Sequence, residues 1–200
     1  MARTKGDHLA RRREVAEAVW RVLADKGFGG LSMRAVATEL GATTGLLTHY
    51  FPAKRDLVAY ALELLEQRTD DNRPHPAERG LAGLRTALLN ILPLTPRAAA
   101  SNRTWMSSWD AALADPGLSG DHARRYAAGR DRLHEFVAEA QALGELPDGD
   151  PARMATGAQA FVLGLVVQSV LDPESFPPAR QRELVDDYLR ALAGSGAGQG

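Results

Sequence analysis

The stretch at residues 31–57, LSMRAVATELGATTGLLTHYFPAKRDL, constrains this chain more than any other, because it encodes two short helices around a glycine turn. Ser32 offers an N-cap oxygen, and Ala35, Val36, Ala37 and Leu40 follow at helical spacing. Gly41 falls where a helix ends in the left-handed region, which a residue without Cβ enters at little cost. Thr43 or Thr44 can then cap a second helix over about residues 44–51, which Pro52 ends because it cannot continue the hydrogen-bond ladder. Two short helices so joined form a helix-turn-helix. Thr44, Thr48 and His49 point outward, while Leu47 and Phe51 can face a core.

The rest of the chain reads as helix as well. A first helix is expected over residues 8–26, with Val15, Val19, Val22 and Leu23 on one face and Gly27 as its stop. A longer one, over 54–67, puts Leu57, Ala61, Leu64 and Leu65 in one stripe. After the polar, proline-marked break DDNRPHP at 70–76, helices are expected over 77–92, 97–114, 119–143, 151–171 and 178–193. Strand alternation is convincing nowhere, and no internal repeat is visible. The expected fold is all-α, with about nine helices in three parts. These are a helix-turn-helix head over residues 1–56, a helical ligand-binding and dimerisation body over 57–193, and a flexible tail, 194–200 (GSGAGQG).

Composition bounds the function classes. With 44% apolar residues in 200, the chain can bury a core, and zero cysteines exclude disulfides and thiolate metal sites. The N-terminus MARTKGDHLARRR lacks the apolar centre of a signal peptide, and no apolar run approaches the ~18 residues of a membrane span, so a cytoplasmic location without membrane contact is expected. Charge is divided unevenly: residues 1–56 hold 10 basic and 6 acidic side chains, and residues 57–200 hold 14 and 19. Arg3, Lys5, Arg11, Arg12 and Arg13 crowd the start of the first helix against its dipole, and DNA phosphate is the natural partner that favours them there.

The helix-turn-helix with its downstream Tyr-Phe-Pro-x-Lys resembles the TetR-type one-component transcriptional regulators. Arg34, Ala37, Gly41, Gly45, Leu47, Tyr50, Phe51, Lys54 and Leu57 match that family's wording in register. Ser32 replaces the usual Thr, Leu40 and Ala42 replace small or β-branched residues, and Thr48 stands where the family most often has Tyr. A helix-turn-helix places its second helix in the major groove of double-stranded DNA, so Thr43, Thr44, Thr48 and His49 are the candidates for reading operator bases. Gly45 permits close approach to the DNA backbone. By resemblance to the family, Ser32, Arg34, Tyr50 and Lys54 are placed for phosphates. Leu46 suits either a thymine-methyl contact or simple packing.

Control of the head must come from the body. Trp105 and Trp109 lie i,i+4 with Ser108 between them, and with Leu84, Leu88, Leu92, Phe136, Asn102 and Gln159 they could line a pocket for a small-molecule effector, or pack as ordinary core. The segment 156–171, TGAQAFVLGLVVQSVL, is apolar nearly all round and should be buried on several sides, with Gly157, Ala160 and Gly164 allowing another helix close. The resemblance implies that the last two helices form a four-helix bundle across a twofold axis, giving a homodimer on a near-palindromic operator. It also implies a repressor released when an effector changes the spacing of the heads. Two other classes stand beside this one, a helical-bundle enzyme and a DNA-binding or interaction module that no longer responds to ligand. Asp131 and His134, spaced i,i+3, fall short of a di-metal carboxylate set, and neither catalytic residues, metal ligands nor a cofactor are expected.

Overall fold

The computed structural model describes residues 5–71 and 76–194, with side chains from residue 13 onward except at 66 and 68–71. Among the described residues every regular element is helical: α1 Lys5–Lys26, a 3-10 turn Phe28–Gly30, α2 Met33–Glu39, α3 Thr44–Tyr50, α4 Lys54–Asp71, α5 Gly80–Leu89, α6 Pro96–Ser107, α7 Trp109–Ala114, α8 Pro116–Ala142, α9 Pro151–Leu171 and α10 Pro178–Gly194. The tail after Gly194 lies outside the described residues, as do the side chains of Arg3, Lys5, Arg11 and Arg12.

Local chemistry sets the limits of the first helices. Ser32 Oγ accepts from the Ala35 backbone N–H at 3.1 Å and so caps α2. Gly41 ends the turn after α2 at φ 63°. Asp56, in the first turn of α4, accepts the Ala53 N–H at 2.9 Å, one half of a capping box.

Two compact units result. The first comprises the described residues through 71 together with 103–119, and the second comprises 76–102 and 120–194. This differs from a boundary at residue 56, and the reason is burial. Leu57, Val58, Ala61, Leu62 and Leu65 of α4 are packed into one cluster with Val15, Val19 and Leu23 of α1, Val36 of α2 and Leu47 of α3. Each fully buried aliphatic side chain contributes about 1.5–3 kcal/mol relative to exposure, so α4 is part of the head's core. Ala112 and Leu118 join the same cluster, with Trp105 against it.

The helix expected over 97–114 is broken at Ser108. Its hydroxyl donates to Trp105 O at 2.6 Å, its own N–H also reaches Trp105 O at 3.0 Å, and Ser107 Oγ donates to Thr104 O at 2.7 Å. Two adjacent hydroxyls thus compete for the last carbonyls of α6 and tighten its end. Trp105 and Trp109 therefore sit on two helices rather than one.

In the second unit α5 starts at Gly80, three residues later than expected. Gly80 has φ 56°, its N–H donates to Glu139 at 2.8 Å, and the Leu81 N–H donates to Glu145 at 2.7 Å. A Cβ at Gly80 would lie 2.2 Å from the Glu145 carboxylate, so glycine is required there. Arg85 of α5 holds Asp186 of α10 through two hydrogen bonds, 2.5 and 3.0 Å. That bonding, ahead of the opposing effect of desolvation, keeps the Asp186 carboxyl below its ordinary range. The Phe161 and Tyr188 rings stack at 4.3 Å, tying α9 to α10, and burial raises the Tyr188 phenol. Helix α9 is long and apolar enough for a membrane span by composition, but Ala158, Val162, Leu165 and Val166 are packed inside this unit as in a core helix. It is not buried on several sides. Gly157, Ala160, Gly164 and Gln168 line an exposed face, because burial of the opposite side already satisfies the helix within one chain.

Candidate nucleic-acid interface

The buried anchor of α3 is Leu47, at 0% exposure, with Phe51 just after the helix. Anchoring that side turns Thr44, Gly45, Thr48 and His49 outward, and Thr43 as N-cap joins them; all five are exposed. Thr43 caps by its extended backbone alone, its side chain making no cap hydrogen bond. The Thr48 hydroxyl donates to Thr44 O at 2.8 Å, so what it offers outward is a methyl group and oxygen lone pairs. Ser32, by contrast, accepts in its cap and keeps its own O–H to give.

Gly45 has a specific steric signature. A Cβ added there would meet only Thr43 Oγ1, at 3.8 Å, an ordinary contact. Nothing inside the chain requires glycine at this exposed helical position, where it costs about 1 kcal/mol relative to alanine. His49 stands edge-on to Tyr50 at 5.7 Å between ring centroids, and Tyr50 is half-buried against the head's core. Leu46 is half-buried as well.

The cations around this face divide into two sets. Arg21 is held by Glu39 at 2.5 Å and Arg55 by Asp115 at 3.3 Å. Arg34 and Lys54 are exposed and pair with no carboxylate among the described residues. Sequence alone does not sort the four, since Glu39 and Asp115 lie outside the helices that carry Arg21 and Arg55.

The residues expected to line one effector pocket fall in both units. Trp105, Ser108 and Trp109 belong to the first; Leu84, Leu88, Leu92, Asn102, Phe136 and Gln159 belong to the second. Ser108 is buried and bonded to its own helix, and Leu84, Leu88 and Leu92 are fully buried core. Asn102 spends its amide donor on Ile91 O and Ala98 O, closing the loop between α5 and α6. Phe136 lies 2.6 Å from where a Cβ of Gly83 would be, so it fills the space glycine leaves on α5. Gln159 is the exception, a buried amide bonded across to α8 at Tyr126 O and Arg130. Arg130 and Gly129 were not singled out from sequence. Their signal is a run of polar and small residues on the α8 stripe that elsewhere carries Leu133, Phe136, Val137 and Ala140.

A short helix anchored by one apolar residue and presenting hydroxyls and an imidazole, flanked by Arg34 of α2 and Lys54 of α4 with no carboxylate partner among the described residues, is the arrangement of a helix-turn-helix DNA-binding protein. The comparisons agree. The description "Bacterial regulatory proteins, tetR family" matches residues 15–61, and "BetI-type transcriptional repressor, C-terminal" matches residues 80–194. The chain belongs to the TetR family, with a BetI-type C-terminal part, and is a DNA-binding transcriptional regulator. The HTH-type transcriptional regulator PksA of Bacillus subtilis (strain 168) is 29% identical over 191 residues, covering 93% of this chain and 91% of that protein. A transcriptional regulator from Rhodococcus sp. Rha1 shares the fold at TM-score 0.78 and 21% identity, with 90% and 94% covered. A protein from Saccharomonospora viridis, solved in complex with choline, does so at TM-score 0.76 and 23% identity, with 90% and 96% covered.

Proposed function

We propose that the protein represses transcription as a cytoplasmic homodimer whose two α3 helices read successive major grooves of a near-palindromic operator. The observation that carries this is the outward face of α3, held in place by a fully buried Leu47. Thr43, Thr44, Thr48 and His49 read bases; Ser32, Arg34, Tyr50 and Lys54 fix register on phosphates. Residues 1–56, the head as first read, supply this whole surface, while residues 57–193 supply the control.

The dimer forms through α9 and α10. Small residues on the exposed face of α9 let a second backbone approach closely, and a stable dimer needs such an apolar, close-packing face. Effector binding in the second unit favours a state with the heads wrongly spaced. A coupling of about 1–3 kcal/mol lowers operator affinity about 5- to 150-fold. The names of the relatives point to a regulator rather than an enzyme.

Selection of bound fragments from a random-sequence DNA pool tests the reading. An inverted repeat bound by two chains is expected. An unenriched pool, or a single asymmetric site bound by one chain, contradicts it.

A further inference from the structure

The inner stripe of α8 changes character along its length. Leu133, Phe136, Val137 and Ala140 are buried and apolar, as a helix facing a core requires. One to three turns earlier the same stripe carries His122, Tyr126 and Gly129, with Arg130 beside them, and His122 is 5% exposed. Across from it on α9, Gln159 is 8% exposed. Its amide donates to Tyr126 O at 2.9 Å and its oxygen accepts from Arg130 Nη1 at 3.3 Å. Gly129 makes the room: a Cβ there would lie 2.7 Å from Gln159 Nε2.

Charge at this seat is mainly positive: Asp121 just before it is paired with Arg124, and Asp131 follows it as an exposed residue. Residues 122–130 of α8, HARRYAAGR, contain three arginines and no acid, and α9 contains no acid either, its single charge being Arg153. The Nη1 atom of Arg125, one turn before Gly129, is buried. Arg130 has five donors, yet among the described residues its partner is a neutral amide and not a carboxylate. A guanidinium drawn partly inside by an amide is costly without a counter-charge, and its planar fork matches a carboxylate.

We propose that the effector is a small organic acid whose carboxylate is bound by Arg130, with Gln159 holding the guanidinium in place. This rests on the reading of the protein as an effector-controlled regulator and names the chemistry of its ligand.

The test uses the full chain and matched probes: hexanoate, octanoate, benzoate and phenylacetate, each against its primary amide at constant ionic strength, with choline as a cationic control. Thermal shift and operator binding are read on the same samples. At least one acid should raise Tm saturably while its amide does not, Arg130→Gln should weaken that acid at least tenfold, and Arg130→Lys should retain part of the affinity. Stabilisation by none of the acids, equal stabilisation by acid and amide, preference for choline, or unchanged affinity in Arg130→Gln overturns the proposal. The acid–amide comparison needs only the wild-type chain, so it stands even if a variant fails to fold. DNA binding without acid binding sinks this inference alone; acid binding without any DNA binding sinks the regulator mechanism and leaves the site.

Discussion

Ser107 Oγ accepts the backbone N–H of Phe28 at 3.1 Å, joining the end of α6 to the turn after α1 across 79 positions of sequence. The same hydroxyl donates to Thr104 O, so one side chain both closes α6 and seats it. Gly27 belongs to this arrangement. It sits at φ 61°, and a Cβ there would come within 3.1 Å of Ser107 Oγ. Removing the hydroxyl in Ser107→Ala strands a partly buried backbone donor. The expected loss is about 1–3 kcal/mol, read as a lower midpoint in urea unfolding.

Gly45→Ala should move stability and function in opposite directions. The methyl has room within the chain and a helical Gly-to-Ala change favours folding by about 0.5–1 kcal/mol, so Tm should rise. On the proposed docking the methyl intrudes where the DNA backbone approaches, so operator affinity should fall. A variant more stable and equally tight on DNA would show that this position does not approach the duplex.

Asp115 has two roles that substitutions can separate. Its Oδ1 caps α8 by accepting from Gly117 N–H at 2.8 Å and Leu118 N–H at 3.1 Å, and its Oδ2 lies 3.3 Å from Arg55 Nε. Asp115→Ala loses both and should cost about 0.5–2 kcal/mol. Asp115→Asn keeps an acceptor for the cap and loses only an ion pair whose arginine is 62% exposed, which is worth about 0–1 kcal/mol. Chemical denaturation of the pair should place most of the loss on the cap.

Glu139 makes stability depend on acid. The Gly80 N–H first, and Arg79 second, hold its carboxyl below the ordinary value. A depressed acid contributes stability that is present above its unfolded-state pKa and is lost as pH falls through the folded value. Wild-type Tm should therefore fall as pH drops through and below the ordinary glutamate value of about 4.3. Glu139→Gln should start lower at neutral pH and show a shallower acid limb in the same melting series.

The parts of this molecule that were legible in sequence are those fixed by near neighbours. Ser32 reaches three residues along to cap α2, Gly41 turns on its own φ, and Pro52 closes α3, so the helix-turn-helix could be read from one segment. The start of α5 could not, because Glu139 and Glu145, 59 and 64 positions away from the amides they accept, decide it. Nor could the break at Ser108, where helix periodicity on both sides is continuous and only the hydroxyl bonds to Trp105 O and Thr104 O interrupt it. The face of α9 carrying Gly157, Ala160 and Gly164 read as buried because small and apolar residues suit any close contact, whether within a chain or between two. The same ambiguity touched Trp105, whose spacing from Trp109 fits a pocket wall or a core; in the structure it packs against the head.

The most direct measurement is a fluorescence-anisotropy titration of the selected operator with wild-type protein and with the triple variant Arg34→Ala, Thr48→Ala, His49→Ala, repeated over a range of salt. All three side chains are exposed, so the variant should melt with the wild type. Tight wild-type binding, weakened at least a hundredfold in the variant and with a shallower salt dependence, is the expected result. Equal binding by the two folded proteins at physiological salt would contradict the assignment of DNA reading to this face of α3.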